Sequence, residues 1–180
     1  MREWNVIVTV MPGPHHERDL LGGLSAHGRF FRTAFRDVCI GWVNDADVFL
    51  EAVQSARLAG KRWPRHLGRV IPIEQVFAFT PDNLAQRLNQ ATAPMIDRIA
   101  GGSFHVRLER RGLAASIPSQ EIERKMADNL YALAGAKGVR LATDFEDPDC
   151  IIVAETVGNE CGIALITRSL AARYPFVRPK

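Results

Sequence analysis

The sequence has 180 residues, of which 47% are hydrophobic and 24% charged, and this composition can bury a core and excludes a disordered tail. The net charge of +3 is shared almost evenly between the two halves, so bulk charge alone does not indicate a partner. Three widely separated cysteines and the lack of an apolar run of about 18 residues exclude a disulfide framework, a zinc knuckle and a membrane span, and we expect a cytoplasmic protein.

Strand and helix patterns alternate through the first 79 residues. The predicted elements, in chain order, are a strand at 4–11, a helix from Pro14 to Gly28, strands at 30–35 and 38–43, a helix from Asn44 or Asp45 to Gly60, and a strand at 70–79. This order is the split βαβ pattern, and it predicts a ferredoxin-like domain over residues 1–79. Because Pro72 lacks a backbone N–H, its strand is expected at a sheet edge or with a bulge.

The second half opens with a long helical pattern. Apolar residues keep helical spacing from 84 to 99 across Pro94, which predicts either one kinked helix or two stacked helices. Residues 103–111 then alternate strictly between apolar and polar. This alternation predicts a half-buried strand that displays Arg107 and Arg111 on its outward face.

A second helix and a hairpin complete the chain. Ser119 is a suitable N-cap, and Gly135 is placed to end the core-facing helix that follows. Gly158-Asn159 is a two-residue turn between apolar runs, and it predicts a β-hairpin. We therefore expect an α/β (α+β) fold in which the N-terminal ferredoxin-like domain packs on a second α/β domain over residues 80–180.

Two polar clusters resemble metal sites but lack the required spacing. His15 and His16 are adjacent, whereas zinc ligands on a helix are four residues apart. The acidic segment 144–149 lacks the glycine and the terminal glutamate of a calcium loop, and a turn before a strand explains it better. We expect no metal, no cofactor and no catalytic activity. A hydrolase that uses Asp144 to Asp149 stays an alternative, which requires a pocket and a bound metal.

A basic segment without an acidic residue spans 57–69. Its positive side chains are Arg57, Lys61, Arg62, Arg65 and Arg69. Trp63 and His66 are interleaved with them, and this combination suits phosphate contact with base stacking. Arg62, Trp63 and Arg65 are therefore candidate RNA-binding residues. The alternative is a solvated loop whose Trp63 is inserted into the core.

A second basic group lies on the alternating strand and the helix after it. Its members are Arg107, Arg110, Arg111, Arg124 and Lys125. Guanidinium groups can take phosphate oxygens in bidentate fashion, which makes this group a second candidate RNA surface. Nearby glutamates dilute the charge, so a balanced surface without a ligand is the alternative.

Four segments of the second half resemble the THUMP domains of tRNA-modifying systems. They are SFHVRLERRG at 103–112, SQEIER at 119–124, DPDCIIVAE at 147–155 and GNECGI at 158–163. The resemblance covers residues from about 80 to 180. The preceding segment looks like the N-terminal ferredoxin-like domain that accompanies THUMP in this family.

The resemblance implies that the domain binds tRNA near its acceptor 3′ end, with Arg107, Arg110 and Arg111 on the family's basic strand. Relatives carry a fused thiouridine synthetase, methyltransferase, deaminase or pseudouridine synthase domain. The sequence ends at Lys180, so it is most similar to the stand-alone THUMP adaptor that partners the tRNA cytidine acetyltransferase. The partners expected on this basis are tRNA and a separate modifying enzyme, with neither DNA nor a membrane.

The alternative hypothesis belongs to another functional class. It is a ferredoxin-like dimeric regulatory module that binds a small molecule or a protein. An RNA adaptor is expected to carry Arg107, Arg110, Arg111 and the 57–69 segment on one continuous face. A regulatory module is expected to bury an apolar edge in a dimer.

Overall fold

The computed structural model describes residues 3–113 and 116–180. Its contacts divide the chain into two compact units. Unit 1 comprises Met1–Ile73 and Ala171–Pro179, and unit 2 comprises Glu74–Leu170 with Lys180. The division between the units therefore falls at residue 73, not at residue 79 as the sequence suggested, and a short C-terminal segment returns to unit 1.

Unit 1 contains a four-stranded antiparallel sheet and two helices. In chain order its elements are β1 (Val6–Val10), α1 (His16–Leu24), β2 (Arg29–Arg32), β3 (Val38–Trp42), α2 (Ala46–Leu58), a 3-10 turn (Trp63–His66) and β4 (Leu67–Pro72). The sheet order is β2-β3-β1-β4, and each neighbouring pair is antiparallel. These features are compatible with the predicted ferredoxin-like domain. The edge position predicted for the strand of Pro72 is confirmed.

The ends of α2 follow from local chemistry. The Asp45 side chain accepts a hydrogen bond from the Val48 N–H at 2.9 Å, which satisfies one of the free donors of the first turn. Two residues past the end of the helix, Gly60 takes a φ of 68°, a left-handed conformation that glycine adopts without steric cost. Both positions agree with the sequence prediction.

Unit 2 contains a five-stranded mixed sheet covered by helices. Its elements are β5 (Gln75–Ala78), α3 (Leu84–Thr92), a 3-10 turn (Ala93–Met95), α4 (Ile96–Ile99), β6 (Ser103–Glu109), α5 (Ser119–Lys137), β7 (Ala142–Thr143), β8 (Cys150–Val157) and β9 (Glu160–Thr167). A last helix, α6 (Arg168–Arg173), runs across the boundary between the units. The sheet order is β5-β9-β8-β6-β7, with β6 parallel to both of its neighbours. The predicted hairpin is confirmed as β8 and β9.

The single strand predicted at 70–79 is wrong, because the segment forms β4 and β5 in different sheets. Pro72 ends β4, since it has no N–H to donate. The Ile73 N–H then donates to the Asn5 carbonyl at 2.8 Å, and the Glu74 N–H donates to the Ile163 carbonyl at 2.8 Å. The change of sheet thus falls between two adjacent residues, where the polar pair Glu74-Gln75 interrupts the apolar segment.

The structure also differs from the sequence prediction, or makes it more specific, at three places in the helices of unit 2. The helical pattern across Pro94 is broken by the 3-10 turn between α3 and α4. Pro118, not Ser119, occupies the N-cap position of α5. Gly135 lies inside α5, and the helix ends instead at Lys137, followed by Gly138, whose φ of 68° gives the left-handed cap. A glycine within a helix costs only about 1 kcal/mol, so Gly135 does not end it.

The C-terminal segment 171–179 carries part of the core of unit 1. Tyr174, Phe176 and Val177 are buried. The Phe176 carbonyl accepts a hydrogen bond from the Val70 N–H at 2.9 Å, and the Tyr174 hydroxyl donates to Glu51 at 2.9 Å. In the described parts of the chain, no helix has both the length and the apolar character needed to cross a membrane.

We predict opposite effects for two adjacent glycines of α1. A Cβ added at Gly23 would lie 2.1 Å from Cγ of Trp63, whereas one added at Gly22 would meet nothing within 4 Å. Gly22→Ala should therefore stabilise by up to about 1 kcal/mol through helix propensity. Gly23→Ala should be less stable than Gly22→Ala by about 1–3 kcal/mol, since the indole must move. Urea denaturation measures both, and equal stabilities would contradict the packing of Trp63 on α1.

Candidate nucleic-acid interface

The basic segment 57–69 divides into a packed aromatic ring and exposed cations. Trp63 is half-buried, its ring contacts Gly23 of α1, and the His27 ring lies 5.9 Å away. The indole therefore packs against α1 of unit 1, but it is not inserted into the buried core as the alternative interpretation expected. Arg62 and Arg65 are exposed, and both belong to unit 1, whereas the second basic group belongs to unit 2.

Arg107 has the outward orientation that the alternation of β6 predicts. Its neighbours Val106 and Leu108 are buried, whereas its own side chain is 44% exposed. Nε of Arg107 lies 3.6 Å from a carboxylate oxygen of Glu109, which is longer than a hydrogen-bonded ion pair. The guanidinium is thus in reach of solvent.

Arg107 borders an open groove of about 720 Å³, named here the basic groove. The residues that line it are Arg107, Leu108, Glu109, Arg110, Pro118, Ser119, Gln120, Glu121, Glu123 and Lys180. The groove therefore combines the end of β6 with the start of α5. Of the second basic group, it brings together Arg107 and Arg110.

Arg110 supports the connection between β6 and α5. Its guanidinium donates a hydrogen bond to the carbonyl of Ile117, a residue that is 1% exposed. The two ends of this connection are thereby tied together, next to the first turn of α5. Arg110 therefore has a structural contact in addition to its place in the groove.

The outward orientation expected of Arg111 is wrong. Its side chain is only 11% exposed and forms an ion pair with Glu155, whose side chain is fully buried. The Arg111 N–H donates to the Thr156 hydroxyl at 2.9 Å, and its carbonyl accepts from the Gly158 N–H at 2.9 Å. Strand pairing with β8 ends at Glu109, so the alternation does not extend to Arg111, and the side chain turns toward the buried carboxylate.

Glu109 and Glu123 are the glutamates that dilute the basic surface in the sequence, and Glu109 is the one near Arg107. Glu123 accepts a hydrogen bond from the Leu108 N–H at 2.7 Å and so satisfies a backbone donor on the open edge of β6. Glu121 pairs with Lys125 at 2.6 Å, and this hydrogen bond holds the pKa of Glu121 below its ordinary value. Arg124 is exposed and makes no ion pair within residues 3–113 and 116–180.

The acidic segment 144–149 shapes a turn and anchors a strand. Asp144 accepts hydrogen bonds from the backbone of Asp147 and Glu146, which lower its pKa. Asp149 accepts from the backbone and the hydroxyl of Ser103, which lower its pKa, and Arg168 pairs with Asp147 and Asp149. Among the residues that the structure describes, no group of three His, Cys, Asp or Glu side chains is placed to hold a metal.

A second groove of unit 2, named here the aromatic groove, has a volume of about 320 Å³. Its lining includes His105, Arg124, Tyr131 and Phe145. Phe145 could not be predicted from the sequence, because a single phenylalanine in an acidic turn carries no periodic signal. Nor did any pattern point to Tyr131, which lies on the exposed side of α5.

The three cysteines are buried and form no disulfide. Burial raises the pKa of the Cys39 thiol to about 12 and that of the Cys150 thiol to about 11. Neither thiol therefore ionises near neutral pH, and a thiolate is the reactive form of cysteine.

Residues 82–165 match the family model of the THUMP domain. The match spans the second basic group, α5 and most of the β8–β9 hairpin, and it confirms the THUMP resemblance over these residues. No curated protein matches the chain.

Several solved structures share the fold. PH1313 from Pyrococcus horikoshii Ot3 is 14% identical, with a TM-score of 0.61 over 92% of this chain and 55% of that protein. TrmN from Thermus thermophilus is 21% identical, with a TM-score of 0.58, and the match covers 96% of this chain and 48% of that protein. A 4-thiouridine synthetase, whose structure was solved with RNA and ATP, is 13% identical, with a TM-score of 0.57. The match covers 92% of this chain and 42% of that protein. The chain thus spans about half the length of these proteins.

We predict that Arg111→Met destabilises the protein by about 3–5 kcal/mol, because it leaves the buried Glu155 carboxylate without the charge of Arg111. The free energy of unfolding in urea measures the effect. Arg107→Met is the matched control, an exposed arginine on the adjoining strand β6, and it should change stability by no more than about 0.5 kcal/mol.

A second comparison separates the charge from the packing of the side chain. The double variant Arg111→Met with Glu155→Gln should recover much of the lost stability, because it removes the buried charge as well. Equal stability of Arg111→Met and Arg107→Met would show that the ion pair contributes little.

Proposed function

We propose that this chain binds tRNA through its THUMP domain and presents it to a separate modification enzyme, without catalysing a reaction itself. The match of residues 82–165 to the THUMP domain supports this function. The structure of a 4-thiouridine synthetase in complex with RNA, which shares the fold, supports it further. A cytidine acetyltransferase is the partner enzyme that the sequence resemblance favours.

The observation that carries the proposal is the position of Arg107 at the basic groove. An exposed guanidinium offers a planar fork of donors that fits phosphate oxygens. Ser119 and Gln120 at the start of α5 add a hydroxyl and an amide to the same groove. Such side chains position a nucleic-acid backbone without requiring a particular base.

The side chains that line the basic groove carry equal numbers of positive and negative charges. The positive ones are Arg107, Arg110 and Lys180, and the negative ones are three glutamates. The contacts of those glutamates differ, however. Glu121 pairs with Lys125, and Glu123 accepts the Leu108 N–H. Glu109 lies 3.6 Å from Nε of Arg107, which is too long for a hydrogen-bonded ion pair. A phosphate that enters the groove therefore competes with Glu109 for the exposed guanidinium of Arg107, whereas the other two carboxylates are held by other partners.

The non-catalytic part of the proposal rests on the contacts of the acidic segment 144–149. A metal-dependent hydrolase would need these carboxylates to converge on an ion. Asp144 instead accepts two backbone N–H groups, and Asp149 holds Ser103. These contacts account for the segment as a turn that leads into β8.

We predict that tRNA binding weakens steeply with salt and that Arg107→Gln with Arg124→Gln flattens this dependence. Each neutralised phosphate contributes roughly −0.7 to −0.9 to the slope of log affinity against log salt. About four contacts give a slope of roughly −3 to −4, and loss of two contacts reduces its size by roughly 1.4–1.8. Fluorescence anisotropy with labelled tRNA over a salt series measures the slope.

The matched control is Arg18→Gln with Arg36→Gln, which removes the same charge from exposed positions of unit 1. It should leave the slope unchanged. An equal effect of the two double variants would show that net charge, and not the position of the arginines on unit 2, governs binding. A protein that binds no tRNA and dimerises through an apolar edge would favour the regulatory module.

A further inference from the structure

The aromatic groove presents a flat ring that the fold holds in an exposed position. The Phe145 side chain is 77% exposed, and its ring lies near-parallel to His105, with centroids 5.6 Å apart and an angle of 27°. Asp144 accepts the Glu146 N–H at 2.8 Å, and its own N–H donates to Phe104 at 3.1 Å. The turn that carries Phe145 is therefore tied to itself and to β6.

His105 supplies a hydrogen-bond acceptor to this groove. Its Nδ1 lies 3.0 Å from the backbone carbonyl of Asp144. Because a carbonyl only accepts, Nδ1 carries the proton, and Nε2 of the neutral ring is an acceptor. Tyr131 forms another wall, where its hydroxyl lies 2.7 Å from the Thr143 hydroxyl.

The open edge of β6 adds backbone groups at Val106. Pairing with β7 ends at Phe104, and backbone groups of alternate strand residues point to the same edge. Leu108 donates to Glu123 on this edge, and Phe104 accepts from Asp144. Val106 lies between these two residues and lines the groove. By the same alternation its backbone N–H and C=O face the groove, and β7 does not pair with them among the described residues.

This pattern fits a nucleobase better than a protein strand. An added strand needs a row of backbone partners, whereas Glu123 blocks the edge at Leu108 and Asp144 blocks it at Phe104. A base needs one ring face and a few polar groups at its edge. The volume of about 320 Å³ lies at the small end of ligand pockets, which span roughly 300–1,000 Å³.

We propose that the aromatic groove holds one unpaired base of the bound RNA, stacked on Phe145 and hydrogen-bonded by His105 Nε2 and the backbone of Val106. The exposed Arg124 at the same groove contacts the phosphate of that nucleotide. This inference rests on the proposed function. It adds a second mode of contact, because stacking requires a base outside a duplex, whereas phosphate contacts do not.

The test compares Phe145→Ala and Phe145→Trp with the unchanged protein. The probes are a ten-nucleotide single-stranded RNA with one 2-aminopurine, the blunt duplex of the same sequence, and full-length tRNA. Phe145→Ala should weaken single-strand binding about 5- to 150-fold, the equivalent of ~1–3 kcal/mol for one stacked base, and should abolish quenching of 2-aminopurine. Phe145→Trp should retain both signals, and all three proteins should bind the duplex equally.

Val48→Ala is the matched control, because Val48 is an apolar side chain of unit 1 that is 67% exposed and lies outside the basic segment 57–69. It should bind every probe as the unchanged protein does. If Phe145→Ala binds the single strand normally while Arg107→Gln with Arg124→Gln does not, the stacking site is refuted and the proposed function stands. Equal losses on duplex and single strand refute stacking as well. If the unchanged protein binds no RNA, both proposals fail.

Discussion

The buried ion pair between Arg111 and Glu155 is the contact on which the candidate interface depends. A carboxylate with no exposed surface requires a compensating charge, and Arg111 supplies it from just beyond the end of β6. This contact fixes where the chain leaves the sheet and turns toward α5. The adjacent Arg110, which holds the Ile117 carbonyl and lines the basic groove, lies at this turn.

Local patterns were sufficient to predict much of unit 2, because they depend on neighbours in sequence. The β8–β9 hairpin follows from the Gly158-Asn159 turn, and the orientation of Arg107 follows from alternation. The orientation of Arg111 depends on a buried carboxylate 44 residues away, which no local pattern contains. The change of sheet after Ile73 likewise depends on distant carbonyl groups at Asn5 and Ile163.

The two grooves of unit 2 both border β6, and each offers a ligand a different kind of interaction. The basic groove at the end of β6 offers charge, whose effect reaches across several ångströms and weakens with salt. The aromatic groove offers a fixed ring and short-range hydrogen bonds, which act only on contact. A ligand with both a phosphate chain and a flat ring can use both grooves. Arginine alone cannot distinguish a paired nucleotide from an unpaired one.

The return of residues 171–179 to unit 1 has a consequence for the order of assembly during synthesis. A ribosome produces the N-terminal part first, and domains generally fold as they emerge. Unit 1 lacks Tyr174, Phe176 and Val177 until residues 171–179 have been synthesised, although these side chains are buried in it. All of unit 2 except Lys180 has been synthesised before that point. Unit 1 therefore begins before unit 2 but is completed after it, once residues 171–179 have emerged.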